Sequence, residues 1–344
     1  MDRIVECVPN FSEGRDMGVV KAITGEIEKT EGAVLLDVDP NGDYNRVVVT
    51  FVGDTDSVWK AAFAATAKAA EMIDMSKHKG EHPRMGATDV VPFVPVSGVS
   101  MDECVQIART YGREVGEKLG IPVYLYEYAA STPARRNLAS VRKGEYEALL
   151  DKLKDPEWVP DFGPAEFNAR SGATVTGARV FLIAYNVNLD TADVNIASEI
   201  ATRVRESGRP ERDEQGKVVK DENGKTKRIP GSLKAVKAMG VPLEEHGITQ
   251  VSMNLVDYNI TSPHIAYEEV TRQAESLGVK VTGSEIVGMT PLAPMILAGK
   301  HFLEKASRPA DESEDELVKA AVSGLGLSQL APFKPKEKII EYRM

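Results

Sequence analysis

Residues 33–54 read AVLLDVDPNGDYNRVVVTFVGD. Two runs rich in Val, Leu and Thr, AVLLDVDP and NRVVVTFVGD, flank the turn-forming PNGDY, which predicts a β-hairpin with Asp43 in an ordinary Asx-type turn. The flanking segments decide what the hairpin belongs to. Before it, RIVECVPNF (3–11) reads as a strand entering a loop at Asn10, and DMGVVKAITGEIEKTEG (16–32) reads as a helix opened by Asp16 and closed by Gly32. After it, DSVWKAAFAATAKAAEMIDM places Val58, Ala62, Ala65, Ala69, Met72 and Ile73 at helical spacing. An extended VVPFVPV follows, then a helix over MDECVQIARTYGREVGEKLG with Cys104, Ile107, Tyr111, Val115 and Leu119 on one face, then a strand at PVYLYEYA. Strands alternating with helices around a hairpin predict an α+β architecture, with helices on one face of a mixed sheet.

A second cycle of the same kind runs from RVFLIAYNVNL through DTADVNIASEIATRVRES, GITQVSMNLVDY and SPHIAYEEVTRQAESLG to VKVTGSEIVG. Between the two cycles, residues 131–154 look helical, and 155–179 form a Gly- and Pro-rich connector of the length that often carries function. The expected divisions are an N-terminal subdomain over 1–178, a C-terminal subdomain over 179–300 and an extension over 301–344. Residues 209–228, with twelve charges in twenty, read as a solvated hairpin with ENG at its tip.

Composition narrows the function. The 344 residues are 42% hydrophobic and 27% charged, enough for two packed cores under a water-compatible surface. No apolar run reaches bilayer length, and the start MDRIVECVPN lacks a secretory layout, so no membrane partner is expected. Two cysteines fit a reducing compartment, and the cytoplasmic localisation follows. A net charge of -10 argues against broad nucleic-acid binding, yet a local basic pocket can still hold an anionic small molecule.

The chemistry-bearing stretch is KHKGEHPRMGATDVVPFVPV (77–96). Pro83 disfavours helix at the residue before it, so His82 is expected on extended backbone just after a helix. His78 and His82 have the i, i+4 spacing of a zinc helix, but Pro83 breaks that helix and Lys77, Lys79 and Arg84 repel a dication, so no metal is expected. GEHPRMG sets Glu81, His82 and Arg84 between two glycines, and an imidazole beside a carboxylate suits general acid–base work. Asp39, at the end of a strand, is the second candidate carboxylate. Asn10, Ser12, Glu13 and Arg15 end the first strand in polar groups, with helix capping by Ser12 or Asp16 as the plain alternative. GATVTGAR lacks phosphate-loop spacing, Cys7 and Cys104 have no CxxC partner, and His246, His264 and His301 are isolated.

ECVPNFSEGR, NRVVVTFVGD, GEHPRMGATDVVPFVPV, DFGPAEFNARSGATVTGARVFLIAYNVNL and SMNLVDYNITSPHIAYEEV together resemble the formiminotransferase family, over about residues 3–300. The resemblance implies two ferredoxin-like α/β subdomains with a ligand cleft between them, in a homodimer. It implies glutamate formimidoyltransferase activity, a one-carbon transfer from N-formimino-L-glutamate to N5 of tetrahydrofolate in histidine degradation. Tetrahydrofolate is then the co-substrate. It carries the essential histidine to His82 and the folate-contacting loop to Gly163, Pro164, Ala165, Glu166, Phe167, Asn168, Ala169, Arg170, Ser171 and Gly172. Asp39 or Glu81 would orient the imidazole, and Arg46 and Arg84 would meet substrate carboxylates. Animal members also fuse a cyclodeaminase domain, for which no length remains here, so the monofunctional type is expected. Two other readings stay open: formyl transfer from N-formylglutamate or a 5-formyltetrahydrofolate cyclo-ligase-like activity, and a ferredoxin-like binding module for RNA or protein.

Overall fold

A computed structural model describes residues 3–42, 44–80 and 82–343; Asp43 and Glu81 therefore lie outside the described residues. The chain divides into two compact units that meet in sequence at Val180 and Phe181.

The first unit runs β1 (Ile4–Cys7), β2 (Asn10–Phe11), α1 (Met17–Glu28), β3 (Ala33–Asn41), β4 (Arg46–Gly53), α2 (Ser57–Met72), β5 (Thr88–Ser97), α3 (Met101–Leu119), β6 (Val123–Glu127), α4 (Leu138–Arg142), α5 (Leu149–Lys152) and β7 (Thr174–Ala178). β3 and β4 pair antiparallel as the hairpin pattern predicts. β4 then pairs with β1 and β2, and both of these also pair with β5. This is an antiparallel βαββαβ core of ferredoxin-like order. β7 and β6 extend it in parallel from β5, which makes the sheet mixed.

The helices form where the sequence supplies ends and a stripe. The Asp16 carboxylate caps α1 by accepting from the Gly18 and Val19 N–H groups. Ser100 and Glu103 form a capping box at the start of α3, and Gly120 ends it in the left-handed conformation. Cys104, Ile107, Tyr111 and Val115 of α3 enter one large core with Val58, Ala62, Ala65 and Ala69 of α2, while Met72 turns outward. Both cysteines are buried and unpaired in this core.

Side chains alternate along β6. Val123 and Leu125 face the helical layer, while Tyr124 and Tyr126 face a second, smaller cluster with Val141, Leu149 and Leu153. That cluster is covered by residues 131–154, where the expected continuous helix is broken into a short 3₁₀ turn, α4 and α5. Gly144 and Glu145 take positive φ between the two helices, and the Arg84 carbonyl accepts from Tyr146 N–H, so tertiary bonds override local helix preference.

The second unit comprises β8 (Ile183–Leu189), α6 (Val194–Val204), β9 (Arg209–Pro210), β10 (Arg228–Ile229), β11 (Val236–Leu243), β12 (Ile248–Leu255), α7 (Pro263–Ser276), β13 (Val281–Val287), α8 (Leu292–Lys305) and α9 (Glu314–Gly324). Its sheet, ordered β11–β12–β8–β13, is antiparallel throughout, again a βαββαβ pattern. β11 carries no clear strand signature because Gly240 and Pro242 interrupt it; an edge position tolerates both. The charged segment between β9 and β10 holds two tandem turns rather than one, each closed by an aspartate, Asp213 or Asp221, that accepts backbone N–H groups.

Candidate active site

β2 is paired with both β4 and β5, so the loop ends beside Asn10, the start of β4 and the segment that leads into β5 are brought together. Arg46 opens β4. Its Nη1 donates to Asn10 Oδ1 at 3.1 Å and to His82 Nε2 at 2.8 Å. A guanidinium has no acceptor, so His82 must present the Nε2 lone pair and the ring is neutral, with its proton on Nδ1. Burial lowers the His82 pKa to about 4, reinforced by the nearby Arg46 and Arg142 cations and opposed by a hydrogen bond to Pro83 backbone.

Among the described residues the charged groups that act on the imidazole are cations, and no carboxylate bonds to it. Asp39 is exposed near the end of β3, where its charge acts on Arg46. Arg46 itself is held below its ordinary value by burial and by Arg142, with Asp39 and Asp89 opposing. Arg84, expected to meet a substrate carboxylate, is buried and engaged. It holds Glu147 through two nitrogens at 2.9 and 2.7 Å and Glu145 at 3.1 Å, and its Nε donates to His78 Nδ1 at 3.3 Å. The two glutamates lie 61 and 63 positions away, beyond the reach of local sequence patterns.

His78 is a structural residue. With Nδ1 accepting from Arg84, Nε2 donates to the Asn45 carbonyl at 3.0 Å. Asn45 adopts φ 47°, a conformation that asparagine tolerates better than most residues. Its amide accepts from Gly14 N–H and donates to the Lys79 carbonyl, fastening three loops together. Ser12 is not a helix cap: its hydroxyl donates to the Gly86 carbonyl at 2.8 Å, within the segment that carries His82.

The 163–172 loop reaches the same segment. Gly172 bridges Gly86, Ala87 N–H donates to the Ser171 carbonyl, and Ala173 N–H donates to the Met85 carbonyl. A Cβ at Gly86 would lie 2.4 Å from the Ser171 and Ala173 carbonyl oxygens, so the close approach requires glycine. At the other end, Gly163 (φ +78°) rests on Gly116 of α3, where a Cβ would come within 2.4 Å of Gly163 N. Between these anchors the Arg170 side chain donates to the Ala70 and Glu71 carbonyls, and Asn168 accepts from Ser171 N–H. Phe167 packs against Tyr146 with ring centroids 5.4 Å apart, Pro164 is half-buried, and Ala165, Glu166 and Ala169 are exposed.

Asp89 and Arg142 were not singled out by sequence. Asp89 is 1% exposed, accepts from Met85 N–H at 2.9 Å and pairs with Arg142. A buried acid one residue into a strand, with its partner more than fifty positions away, leaves no local signature. Ser12, Tyr44, Asn45, Arg46, His78, His82, Arg84 and Asp89 line a narrow crevice with no room for a water-sized sphere, so its walls are in contact with one another rather than around a ligand-sized space.

His82 is expected to stay neutral until pH falls to about 4. Its folded value lies below the ordinary 6.5. The stability contributed by its neutral form is therefore complete above about 6.5 and is lost as pH falls through about 4. In Arg46→Gln the midpoint should rise, but not fully to 6.5, because burial is the larger cause. NMR titration of the His82 ring proton checks this; an unchanged midpoint would remove Arg46 from the account.

Residues 4–179 match the profile "Formiminotransferase domain, N-terminal subdomain" and residues 184–344 match "Formiminotransferase domain". The chain is 44% identical to the glutamate formimidoyltransferase of Thermoplasma acidophilum over 303 residues, 88% of this chain and 92% of that protein. It is 41% identical to the glutamate formimidoyltransferase of Streptococcus pyogenes over 304 residues, 88% of this chain and 94% of that protein. Against the formimidoyltransferase-cyclodeaminase of Rattus norvegicus the identity is 49% over 342 residues, 99% of this chain but 60% of the rat protein's length. With both units matched and near-full-length relatives above 40% identity, the chain belongs to the formiminotransferase family.

Proposed function

We propose that the chain transfers the formimino group of N-formimino-L-glutamate to N5 of tetrahydrofolate, giving 5-formiminotetrahydrofolate and glutamate. The observation that carries this reading is a neutral His82 whose Nε2 lone pair is held by Arg46, on the segment to which the 163–172 loop is fastened. The reading includes folate as co-substrate, a role in histidine degradation, a cytoplasmic setting and a homodimer. It assigns folate contacts to the 163–172 loop.

N5 attacks the amidinium carbon, and the tetrahedral intermediate carries its positive charge on N5. Glutamate's nitrogen cannot leave as an amide anion. His82 takes the proton from N5 and returns it to the glutamate nitrogen as the C–N bond breaks, ending neutral again. The cations that weaken His82 as a base also make its imidazolium a ready donor to the leaving amine. A substrate carboxylate that engages Arg46 frees the Nε2 lone pair and relieves the repulsion. Asp39 stabilises the cationic intermediate through space, and Glu81 is the alternative for that role. Arg84, already committed to Glu145 and Glu147, supports the segment.

Steady-state assays with tetrahydrofolate and either formiminoglutamate or formylglutamate test the reading. Formimino transfer is expected; turnover with formylglutamate alone would replace this reading with formyl transfer. Tetrahydrofolate at a hundred times its Kd should stabilise the chain by about 2.7 kcal/mol, seen as a raised Tm.

A further inference from the structure

The helix-free face of the second unit's sheet carries a ladder of polar side chains in place of apolar ones. A Cβ at Gly240 would strike Ser198 of α6, so Gly240 faces the helices and its neighbours Met239 and Val241 face away. Register then puts Met239, Ser252, Asn186 and Glu285 in one row across that face, and Val241, Gln250 and Asn188 in the next, where Gln250 and Asn188 are buried and Gln329 covers the end.

Glu285 Oε1 accepts from Asn186 Nδ2 and from Gln250 Nε2, both at 2.9 Å. A carboxylate only accepts, so it fixes both amide orientations. Gln250 Nε2 also donates to Asn188 Oδ1 at 2.8 Å, and Asn188 Nδ2 donates to Gln329 Oε1 at 2.6 Å. The amide donors are thus committed within the ladder from Asn186 to Asn188. The spare capacity is for accepting: among the described residues, Glu285 Oε2 and Asn186 Oδ1 have no hydrogen-bond donor and Glu285 has no cation within ion-pair distance. Two adjacent acceptors, one of them anionic and held rigid from behind, match a ligand that offers two N–H donors along one edge. Met239 in the same row is 60% exposed, an apolar neighbour that a flat ring would cover.

We propose that Glu285 and Asn186 form a subsite for the N–C–N donor edge of a substrate. The inference rests on the formimino-transfer reading, because both of its substrates have such an edge: the formimino amidinium and the 2-amino-pyrimidinone edge of the pterin. Calorimetric titration of the full chain separates the two sources. The edge-bearing probes are tetrahydrofolate and formiminoglutamate, and their edge-less counterparts are p-aminobenzoylglutamate and glutamate.

Glu285→Gln should weaken one edge-bearing probe about ten- to a hundredfold and leave its edge-less counterpart unchanged. Loss for tetrahydrofolate assigns the pterin, and loss for formiminoglutamate assigns the amidinium. Asn186→Ser should weaken the same probe by a smaller factor, and it decides the matter if Glu285→Gln fails to fold. Unchanged binding of both edge-bearing probes, or equal losses for a probe and its counterpart, would overturn the subsite. If wild type turns over formiminoglutamate while the variants bind normally, only the subsite falls. If wild type binds neither substrate, the subsite falls together with the formimino-transfer reading.

Discussion

His82→Ala is expected to lower the turnover of formimino transfer at least about a hundredfold, with the fold and the binding of both substrates retained. The size follows from what the ring does. Without a group to move the proton from N5 to the departing nitrogen, the intermediate reverts by losing N5, the better leaving group while it carries the charge. Water can shuttle protons, but it is neither held at the right place nor matched in basicity, and a positioned acid–base group is worth about 10²–10⁴-fold. The fold should survive because His82 is only half-buried and its bond to Arg46 is replaceable by water. Three measurements distinguish a lost shuttle from a disturbed site. Substrate affinities should be unchanged, the Tm should shift little, and added imidazole should restore part of the rate. Turnover within tenfold of wild type would eliminate the shuttle.

The sequence made the frame of that site readable and hid its wiring. The hairpin over 33–54, the helices over 17–28, 57–72 and 101–119, and the second use of an α+β cycle follow from local periodicity and turn chemistry and are present in the structure, whereas β11, which completes the second βαββαβ pattern, left no such signal. Pro83 correctly placed His82 on non-helical backbone. Sequence reasoning went astray wherever partners are distant. Residues 131–154 have helical composition, but bonds from Arg84 to Glu145, Glu147 and Tyr146 break the helix. Arg46 and Arg84 look equivalent as free guanidinium groups in the sequence. One faces the histidine, and the other is consumed in a structural network. Pairing of β2 with β4 delivers Arg46 to the His82 ring, a contact of which the GEHPRMG stretch gives no sign. Spacing along the chain identifies which groups are available; strand register decides which of them meet.

Asp89→Ala is expected to destabilise the first unit by about 3–5 kcal/mol, the range for removing one partner of a buried ion pair. Asp89 and Arg142 have side chains only 2% and 15% exposed, so water cannot replace the lost carboxylate at the guanidinium. Arg142 Nε is already buried without a partner, which leaves that side chain little reserve. Burial pushes the Asp89 carboxyl up, while Arg142 and the Met85 N–H group pull it down. Denaturant unfolding of Asp89→Ala, Arg142→Ala and the double variant tests the cause. The double variant should be less destabilised than the sum of the two single losses, because it buries no uncompensated charge. A loss below about 1 kcal/mol for Asp89→Ala would mean the pair behaves as an exposed one. The pair also has a functional consequence. Asp89 holds Met85 N–H, and the Met85 carbonyl accepts from Ala173 N–H at the end of the 163–172 loop. Removing the carboxylate therefore loosens the joint between the histidine segment and that loop, so activity should fall at temperatures where the chain is still folded. A variant that loses stability yet keeps full activity below its Tm would show that the ion pair holds the core without positioning the site.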